Sequence, residues 1–93
     1  MKLVYTEEAI EDLKRLREFI AINNPSAATR IGTELVGKIE LLSDFPKIGT
    51  PVEIAPVPET VRDMFFGKYV VRYSVHTSAI IILRVWHSLE GQR

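Results

Sequence analysis

The stretch VRDMFFGKYVVRYSVHTSAIIILRVW, residues 61–86, decides the fold of this chain. It is rich in β-branched and aromatic side chains, which suit the pleated and half-buried surface of a strand. Gly67–Lys68 and His76–Ser78 interrupt it and divide it into three runs. We therefore predict three successive antiparallel strands, at Val61–Phe66, Tyr69–Val75 and Ala79–Trp86.

The N-terminal residues predict a short strand followed by a helix. Lys2–Tyr5 alternates weakly and stops at Thr6, which is a good N-cap, and two glutamates that suit the positive end of a helix follow it. From Glu7 to Asn23, apolar residues recur at three- and four-residue spacing, with charged residues such as Asp12 between them. This helix should bury one stripe, formed by Ile10, Leu13, Leu16 and Ile20.

A second helix follows after one tight connection. Asn24 is a suitable cap, and Pro25 is preorganised for the first helical position. An apolar stripe runs along this helix to the neighbourhood of Phe45–Pro46, where proline cannot continue the helical geometry. The two helices should form a hairpin, and the second one should bury Ala28, Ile31, Leu35, Ile39 and Leu42.

The segment between the helices and the strands is dominated by proline. Four of the five prolines lie between Pro46 and Pro58, together with Gly49, so we predict an irregular, stiffened loop without a regular element. The predicted order is then strand, helix, helix, strand, strand, strand. This order indicates an α+β fold, in which a helical hairpin packs on an antiparallel sheet. A chain of 93 residues supports one core, so we assign residues 1–93 to one domain.

Composition removes several classes of function. The chain has no cysteine and only two histidines, which disfavours disulfides, thiolate catalysis and metal sites. No glycine-rich phosphate loop or hydrolase motif occurs, so we expect no cofactor. The longest apolar run, Ala79–Leu83, is far below the roughly 20 residues that a membrane helix needs, and no signal peptide begins the chain. We expect a cytoplasmic protein.

Charge is balanced overall but uneven along the chain. Twelve basic and twelve acidic residues cancel, whereas proteins that bind many phosphates usually carry net positive charge. From Gly67 onward, however, the only carboxylate side chain is that of Glu90. The C-terminal half should therefore present a local basic surface, built from Lys68, Arg72, Arg84 and Arg93.

Candidate functional residues lie in the predicted sheet. Arginines can hold phosphates or an acidic partner, and histidine can transfer protons near neutral pH. The alternative interpretation is that the arginines fill a solvated sheet face, that His87 ends a strand, and that the aromatic residues only pack. The cluster comprises Arg62, Lys68, Tyr69, Arg72, Tyr73, Arg84, Trp86 and His87.

The register of the last two strands decides which of these side chains meet. A two-residue turn at Thr77–Ser78 would place Arg72 with His87 on one face, and Arg84 with Tyr73 and Trp86 on the other. That turn lacks the glycine or asparagine that such turns favour. A longer loop therefore stays open, and it would bring Arg72 and Arg84 together.

The element order and two stretches, FGKYVVRY at 66–73 and ILRVWH at 82–87, resemble the RelE/ParE family of toxins from bacterial toxin–antitoxin pairs. The resemblance covers essentially the whole chain. One branch of the family cuts messenger RNA on the ribosome, and another poisons DNA gyrase. The resemblance implies a cognate antitoxin whose amphipathic C-terminal segment wraps the toxin, with apolar residues of the helical hairpin as docking points.

Two positions favour the gyrase-directed branch. RNA-cutting members commonly have arginine directly after the equivalent of Tyr69, and a reactive tyrosine or basic residue near the C-terminus, where this chain has Val70 and Ser88. The neutral net charge points the same way. His87 matches a histidine found in both branches, so it does not discriminate.

We therefore expect a ParE-like inhibitor of DNA gyrase that has no catalytic residues of its own. One alternative is a ribosome-dependent endoribonuclease, acting on messenger RNA through His87, Arg84 and Arg72. The other is an inactive member that binds only its antitoxin. The residues predicted to bind the target or the antitoxin are Arg62, Lys68, Arg72, Arg84, Trp86 and His87.

Overall fold

A helical hairpin covers one face of a five-stranded sheet. The computed structural model describes residues 1–53, 55–56 and 60–90. The elements in chain order are β1 (Lys2–Tyr5), α1 (Glu7–Asn23), α2 (Pro25–Glu40), a 3₁₀ turn (Leu41–Ser43), β2 (Thr50–Pro51), β3 (Val61–Phe66), β4 (Tyr69–Val75), β5 (Ala79–His87) and a second 3₁₀ turn (Ser88–Glu90). The α+β architecture and the three long strands are confirmed.

The sheet has the order β1-β5-β4-β3-β2. The strands β2, β3, β4 and β5 pair with one another in antiparallel fashion, as predicted for the three long strands. The N-terminal strand β1 runs parallel to β5, so the sheet is mixed. This follows from the helical hairpin, which returns the chain over the sheet between β1 and the later strands. No helix in the described ranges is long and apolar enough to cross a bilayer.

Both predicted helix caps are present. The Thr6 hydroxyl oxygen accepts the Ala9 N–H at 3.1 Å, and it lies 3.0 Å from the carbonyl oxygens of Ile82 and Leu83. Thr6 therefore caps α1 and fixes its start against β5. Asn24 caps α2 by accepting the Ala27 N–H at 3.1 Å, and Pro25 begins that helix as expected.

The core lies between the hairpin and the facing side of the sheet. Its buried side chains include Leu16, Leu35, Ile39, Leu42, Val71, Tyr73, Ile80, Ile82 and Val85. The stripe predicted on α1 is wrong at one position, because Ile10 is 42% exposed. The buried face instead runs through Ala9, Asp12 and Leu16. A carboxylate predicted to be solvated is thus 2% exposed, and it needs partners inside the fold.

The proline-rich loop contains a strand that the sequence did not predict. Thr50 and Pro51 form β2, which pairs with Asp63 and Arg62 of β3. Proline is compatible with this place because an edge strand leaves one side of its backbone unpaired. Pro58, which closes the predicted loop, lies outside the described residues.

The register of β4 and β5 changes at a bulge. Near the turn, Val75 pairs with Ile80 and Tyr73 with Ile82, which confirms the two-residue turn at Thr77–Ser78. The register then shifts between Arg72 and Tyr73, and Arg72 lies opposite Arg84. An extra residue in one strand moves every later side chain of that strand to the other face.

The bulge overturns the predicted distribution of faces. Val70 pairs with Trp86, and Tyr69 pairs with His87. Arg72 and His87 therefore lie on opposite faces, and Tyr73 does not share a face with Trp86. Arg72 and Arg84 are neighbours, as the longer-loop alternative predicted, but the bulge brings them together and the turn keeps its short length.

Candidate functional site

The end of β5 is completed by side chains instead of by a strand. In the described part of the chain, β1 pairs with β5 only as far as Ile82. Beyond that point, Asp12 accepts the Val85 N–H at 2.9 Å, and Arg15 donates to the Val85 carbonyl at 3.4 Å. Glu90 accepts the His87 N–H at 2.9 Å. These contacts satisfy backbone groups that would otherwise form an open sheet edge.

The same side chains form a charged network, which we call the edge cluster: Asp12, Arg15, Arg84 and Glu90. Arg84 contacts both Asp12 carboxylate oxygens, at 2.8 Å from Nε and 3.0 Å from Nη2. Arg15 donates to Asp12 at 2.6 Å and to Glu90 at 3.1 Å. The edge cluster therefore ties α1 to β5 and to the C-terminal 3₁₀ turn.

Asp12 is held in its charged form. Burial alone would raise its pKa, but hydrogen bonds from Arg84, from the Val85 N–H and from Arg15 outweigh burial and lower the pKa to about 2. The hydrogen bond with Asp12 raises the pKa of Arg84. Separating a buried and hydrogen-bonded ion pair by removing one partner costs about 3–5 kcal/mol. Arg84 is thus committed to Asp12 and is poorly placed to bind a phosphate.

Arg72 forms a second ion pair, on the neighbouring strands. Asp63 lies opposite Arg72 in the β3–β4 register, and its two carboxylate oxygens accept from Nε at 2.8 Å and from Nη2 at 2.9 Å. Each side chain is 16% exposed. The hydrogen bond that Arg72 donates to Asp63 raises the pKa of Arg72. The guanidinium carbon also lies 5.2 Å from the centroid of the Trp86 ring, which is within cation–π range.

His87 has one ring nitrogen occupied. Its Nδ1 accepts the Leu89 N–H at 3.1 Å, so the neutral ring carries its proton on Nε2. The ring meets Tyr69 edge to face, with centroids 5.1 Å apart. In this tautomer, Nε2 can donate a proton but has no lone pair with which to accept one. To act as a general base at Nε2, the neutral ring would have to carry its proton on Nδ1 instead, and it would then lose the Leu89 hydrogen bond.

The two remaining predicted residues, Lys68 and Arg62, form no ion pair within the described ranges. Lys68 is exposed in the β3–β4 turn, where its carbonyl oxygen accepts the Ser88 N–H at 2.7 Å. Arg62 donates to the Gly49 carbonyl at 2.7 Å, and its buried Nε has no partner among the described residues. Their roles in binding a target or an antitoxin stay predictions.

The structure corrects the expectation of a local basic surface. Arg72 and Arg84 are paired with Asp63 and Asp12, both of which precede the segment that begins at Gly67. The charge of the segment after Gly67 did not predict its surface, because its arginines form ion pairs with carboxylates on another strand and on a helix. Arg93, the last basic residue of that set, lies outside the described residues.

The predicted aromatic packing is confirmed. Tyr73 is fully buried, Trp86 is 5% exposed, and Tyr69 packs against the core. These two tyrosines and the tryptophan thus pack within the fold, and the Trp86 ring also contacts a charged candidate residue, Arg72.

The chain is similar to known proteins along nearly its whole described length. A family model described as the ParE toxin of the type II toxin–antitoxin system parDE matches residues 3–90. Toxin RelE1 of Caulobacter vibrioides is 33% identical over 86 residues, which cover 88% of this chain and 87% of that protein. Toxin RelE3 of the same organism is 31% identical over 86 residues, which cover 88% of each.

Solved structures share the fold. A chain of the chromosomal ParDE system from P. aeruginosa has a TM-score of 0.78 at 22% identity, covering 94% of this chain and 95% of that one. A chain of the RelBE2 toxin–antitoxin complex from Mycobacterium tuberculosis has a TM-score of 0.66 at 22% identity, covering 92% and 88%. Names of both branches occur among these proteins, so the choice between them rests on the chemistry of the site.

Proposed function

The chain belongs to the RelE/ParE family of toxins from type II toxin–antitoxin systems, and we propose that it poisons DNA gyrase in the bacterial cytoplasm. One observation carries this proposal. Both arginines that RNA cleavage would use are held in other contacts, Arg72 by Asp63 and Arg84 by Asp12, and His87 accepts the Leu89 N–H at Nδ1, which leaves Nε2 for proton transfer.

Cleavage of RNA requires groups that this site does not supply. Attack on a phosphodiester needs a base, an acid and cationic stabilisation of the developing charge, each within hydrogen-bond reach. Arg72 and His87 lie on opposite faces of the sheet, so they cannot act on one phosphate without rearrangement. Val70, at the position where RNA-cutting relatives commonly have arginine, is 4% exposed and pairs with Trp86.

Inhibition of gyrase needs no such chemistry. A poison has only to bind the cleaved-DNA state of the enzyme more tightly than the other states, because differential affinity shifts the population. Rigid surfaces suit this role, and paired arginines add rigidity. The sheet of this chain is braced by two bidentate ion pairs, Asp63–Arg72 and Asp12–Arg84.

The structural neighbours come from toxin–antitoxin systems, and we further propose that this chain has a cognate antitoxin, which docks on the helical hairpin. A groove between α1 and α2 offers room for an amphipathic helix. Gly32 and Gly37 face open space in this groove, since a Cβ at either position would meet nothing within 4 Å. The apolar and small residues of its lining are Leu13, Ala28, Gly32, Val36 and Gly37.

The proposal is tested with two purified systems. Incubated with gyrase, ATP and supercoiled plasmid, the protein should yield linear DNA once trapped complexes are denatured and digested. Incubated with messenger RNA on programmed ribosomes, it should yield no cuts. Codon-specific RNA cuts that disappear in a His87→Ala variant, without linear plasmid, would assign the chain to the nuclease branch. A protein inactive in both assays that still binds its antitoxin would be an inactive member.

A further inference from the structure

The turn Phe45–Ile48, which we call the apolar knuckle, presents two large apolar side chains to solvent. Phe45 is 58% and Ile48 is 56% exposed. The Ile48 N–H donates to the Phe45 carbonyl at 3.1 Å and closes the turn. Single exposed apolar residues are ordinary on protein surfaces. The apolar knuckle differs because the side chains of Tyr73 and Arg62 hold its backbone in place.

One buried hydroxyl joins the two ends of the turn. Tyr73 is fully buried, and its Oη donates to the Pro46 carbonyl at 2.9 Å. The same oxygen accepts the Gly49 N–H at 2.9 Å. Both hydrogen-bonding functions of this hydroxyl are therefore spent on holding the turn.

Two further contacts brace the apolar knuckle. Arg62 donates to the carbonyl oxygens of Gly49 at 2.7 Å and of Lys47 at 3.4 Å. Gly49 packs so closely that a Cβ there would lie 2.7 Å from Tyr73 Oη and 2.8 Å from the Asp63 carbonyl. A turn fixed on three sides loses little conformational entropy when it binds, which favours affinity.

The two depressions beside the apolar knuckle are lined by apolar and positive side chains, whereas Asp44, which is exposed next to Phe45, lines a separate depression with Glu40. Leu41 and Phe65, which are 39% and 63% exposed, line a shallow depression next to Ile48. Lys38 and Lys47 border the patch, and within the described ranges neither forms an ion pair. The one carboxylate of the lining, Asp63, is neutralised by Arg72.

We propose that the apolar knuckle docks the toxin onto its protein target, with Phe45 and Ile48 entering an apolar pocket rimmed by carboxylates. This inference rests on the proposed function in one respect, that the chain acts by binding a protein target. The exposed lysines require an acidic rim by charge complementarity. A second copy of the chain is a poorer occupant, because a two-fold interface would set this patch against itself, and the one carboxylate of its lining, Asp63, is already paired with Arg72. The antitoxin groove proposed above shares no lining residue with this patch.

The test compares two double variants of the full chain. Phe45→Ser/Ile48→Ser changes the apolar knuckle, and Phe19→Ser/Ile22→Ser changes two residues of α1 that are 67% and 80% exposed. Both should fold, which far-UV circular dichroism and thermal unfolding check. Two buried apolar anchors lost at an interface should weaken target binding by about 30-fold or more. Growth arrest on induction should therefore disappear only in the apolar-knuckle variant, while its antitoxin affinity stays within about threefold of wild type.

A charge variant tests the chemistry of the target pocket. Lys38→Glu/Lys47→Glu should also weaken arrest, because it would place like charges opposite the acidic rim. Full toxicity in this variant would overturn the acidic rim. Arrest that persists in the Phe45→Ser/Ile48→Ser variant would overturn the docking role as a whole.

Other outcomes assign the patch elsewhere. A loss of antitoxin affinity of tenfold or more in the apolar-knuckle variant would make it an antitoxin surface. A wild-type dimer in size-exclusion chromatography that the same variant converts to monomer would make it a self-association surface. A wild-type chain that never arrests growth would refute the toxin function and this proposal together, whereas arrest retained by the variant refutes this proposal alone.

Discussion

The two edges of the sheet are completed in different ways. At the β5 edge, the charged side chains of the edge cluster turn inward and take the place of a strand. At the β3 edge, a two-residue strand and the braced apolar knuckle leave large apolar side chains exposed. One edge uses its polar groups to hold the protein together. The other edge has its polar contacts beneath the turn and leaves an apolar surface exposed, which we propose binds a partner.

The largest effect should come from removing the central carboxylate of the edge cluster. Asp12→Ala would leave Arg84 and Arg15 without their buried anion and would leave the Val85 N–H unsatisfied. We expect a loss of about 3–5 kcal/mol in the free energy of unfolding, measured by urea denaturation. The matched control is Glu11→Ala, whose side chain is 73% exposed and pairs only with Lys14 on the surface.

The control should change stability by less than about 0.5 kcal/mol, as exposed i,i+3 pairs usually do. Equal effects of the two substitutions would mean that the edge cluster does not hold the β5 edge. The two edges of the sheet would then not differ in how charged side chains stabilise them.

The second effect concerns acid stability. The pKa of Asp12 is about 2 in the folded protein and about 3.9 in an unfolded chain, so the folded state favours the deprotonated form. This contribution is complete above about pH 4, and it is lost as the pH falls through the folded-state pKa. It amounts to about 2.5 kcal/mol. Unfolding midpoints in urea between pH 5 and pH 2 should fall steeply for wild type.

An Asp12→Asn variant isolates this effect, because asparagine fills the same space and does not titrate. The variant should be less stable at pH 5 and should show a shallower fall toward pH 2. Parallel curves for the two proteins would assign the acid sensitivity to other carboxylates.

Local signals in the sequence predicted most of the fold. Thr6, Asn24 and Pro25 mark the helix starts through contacts within a few residues, and the β-branched runs mark the strands. The β4–β5 bulge carries no such local signal, because neither the turn at Thr77–Ser78 nor the alternation of the strands marks the extra residue. It reversed the faces of every residue beyond it, including His87.

The ion pairs also differ in how well the local sequence predicts them. Asp63 opposite Arg72 follows from a two-residue turn at Gly67–Lys68, since paired residues are then symmetric about it. Gly67 takes that turn with a φ of 56°, which glycine adopts readily. The burial of Asp12 has a weaker signal in the sequence. Asp12 lies three residues after Ala9 and four before Leu16, which is the spacing of one helix face. The pairing of Glu90 has no local signal in the sequence, because its partner Arg15 lies 75 residues away.

The smallest effect should come from the brace beneath the apolar knuckle. Tyr73→Phe keeps the buried ring but removes the hydroxyl that contacts Pro46 and Gly49. The Gly49 N–H would then be buried without its acceptor, which costs about 1–3 kcal/mol and less than the loss of Asp12. Hydrogen exchange adds the discriminating measurement, because a loosened turn exposes its own amides while the helices and strands stay protected. We expect the amides of Ile48 and Gly49 to exchange faster and that of Val85, at the other edge, to keep its wild-type rate. Faster exchange at Val85 as well would mean that the two edges are coupled, and that the apolar knuckle is not braced independently of the edge cluster.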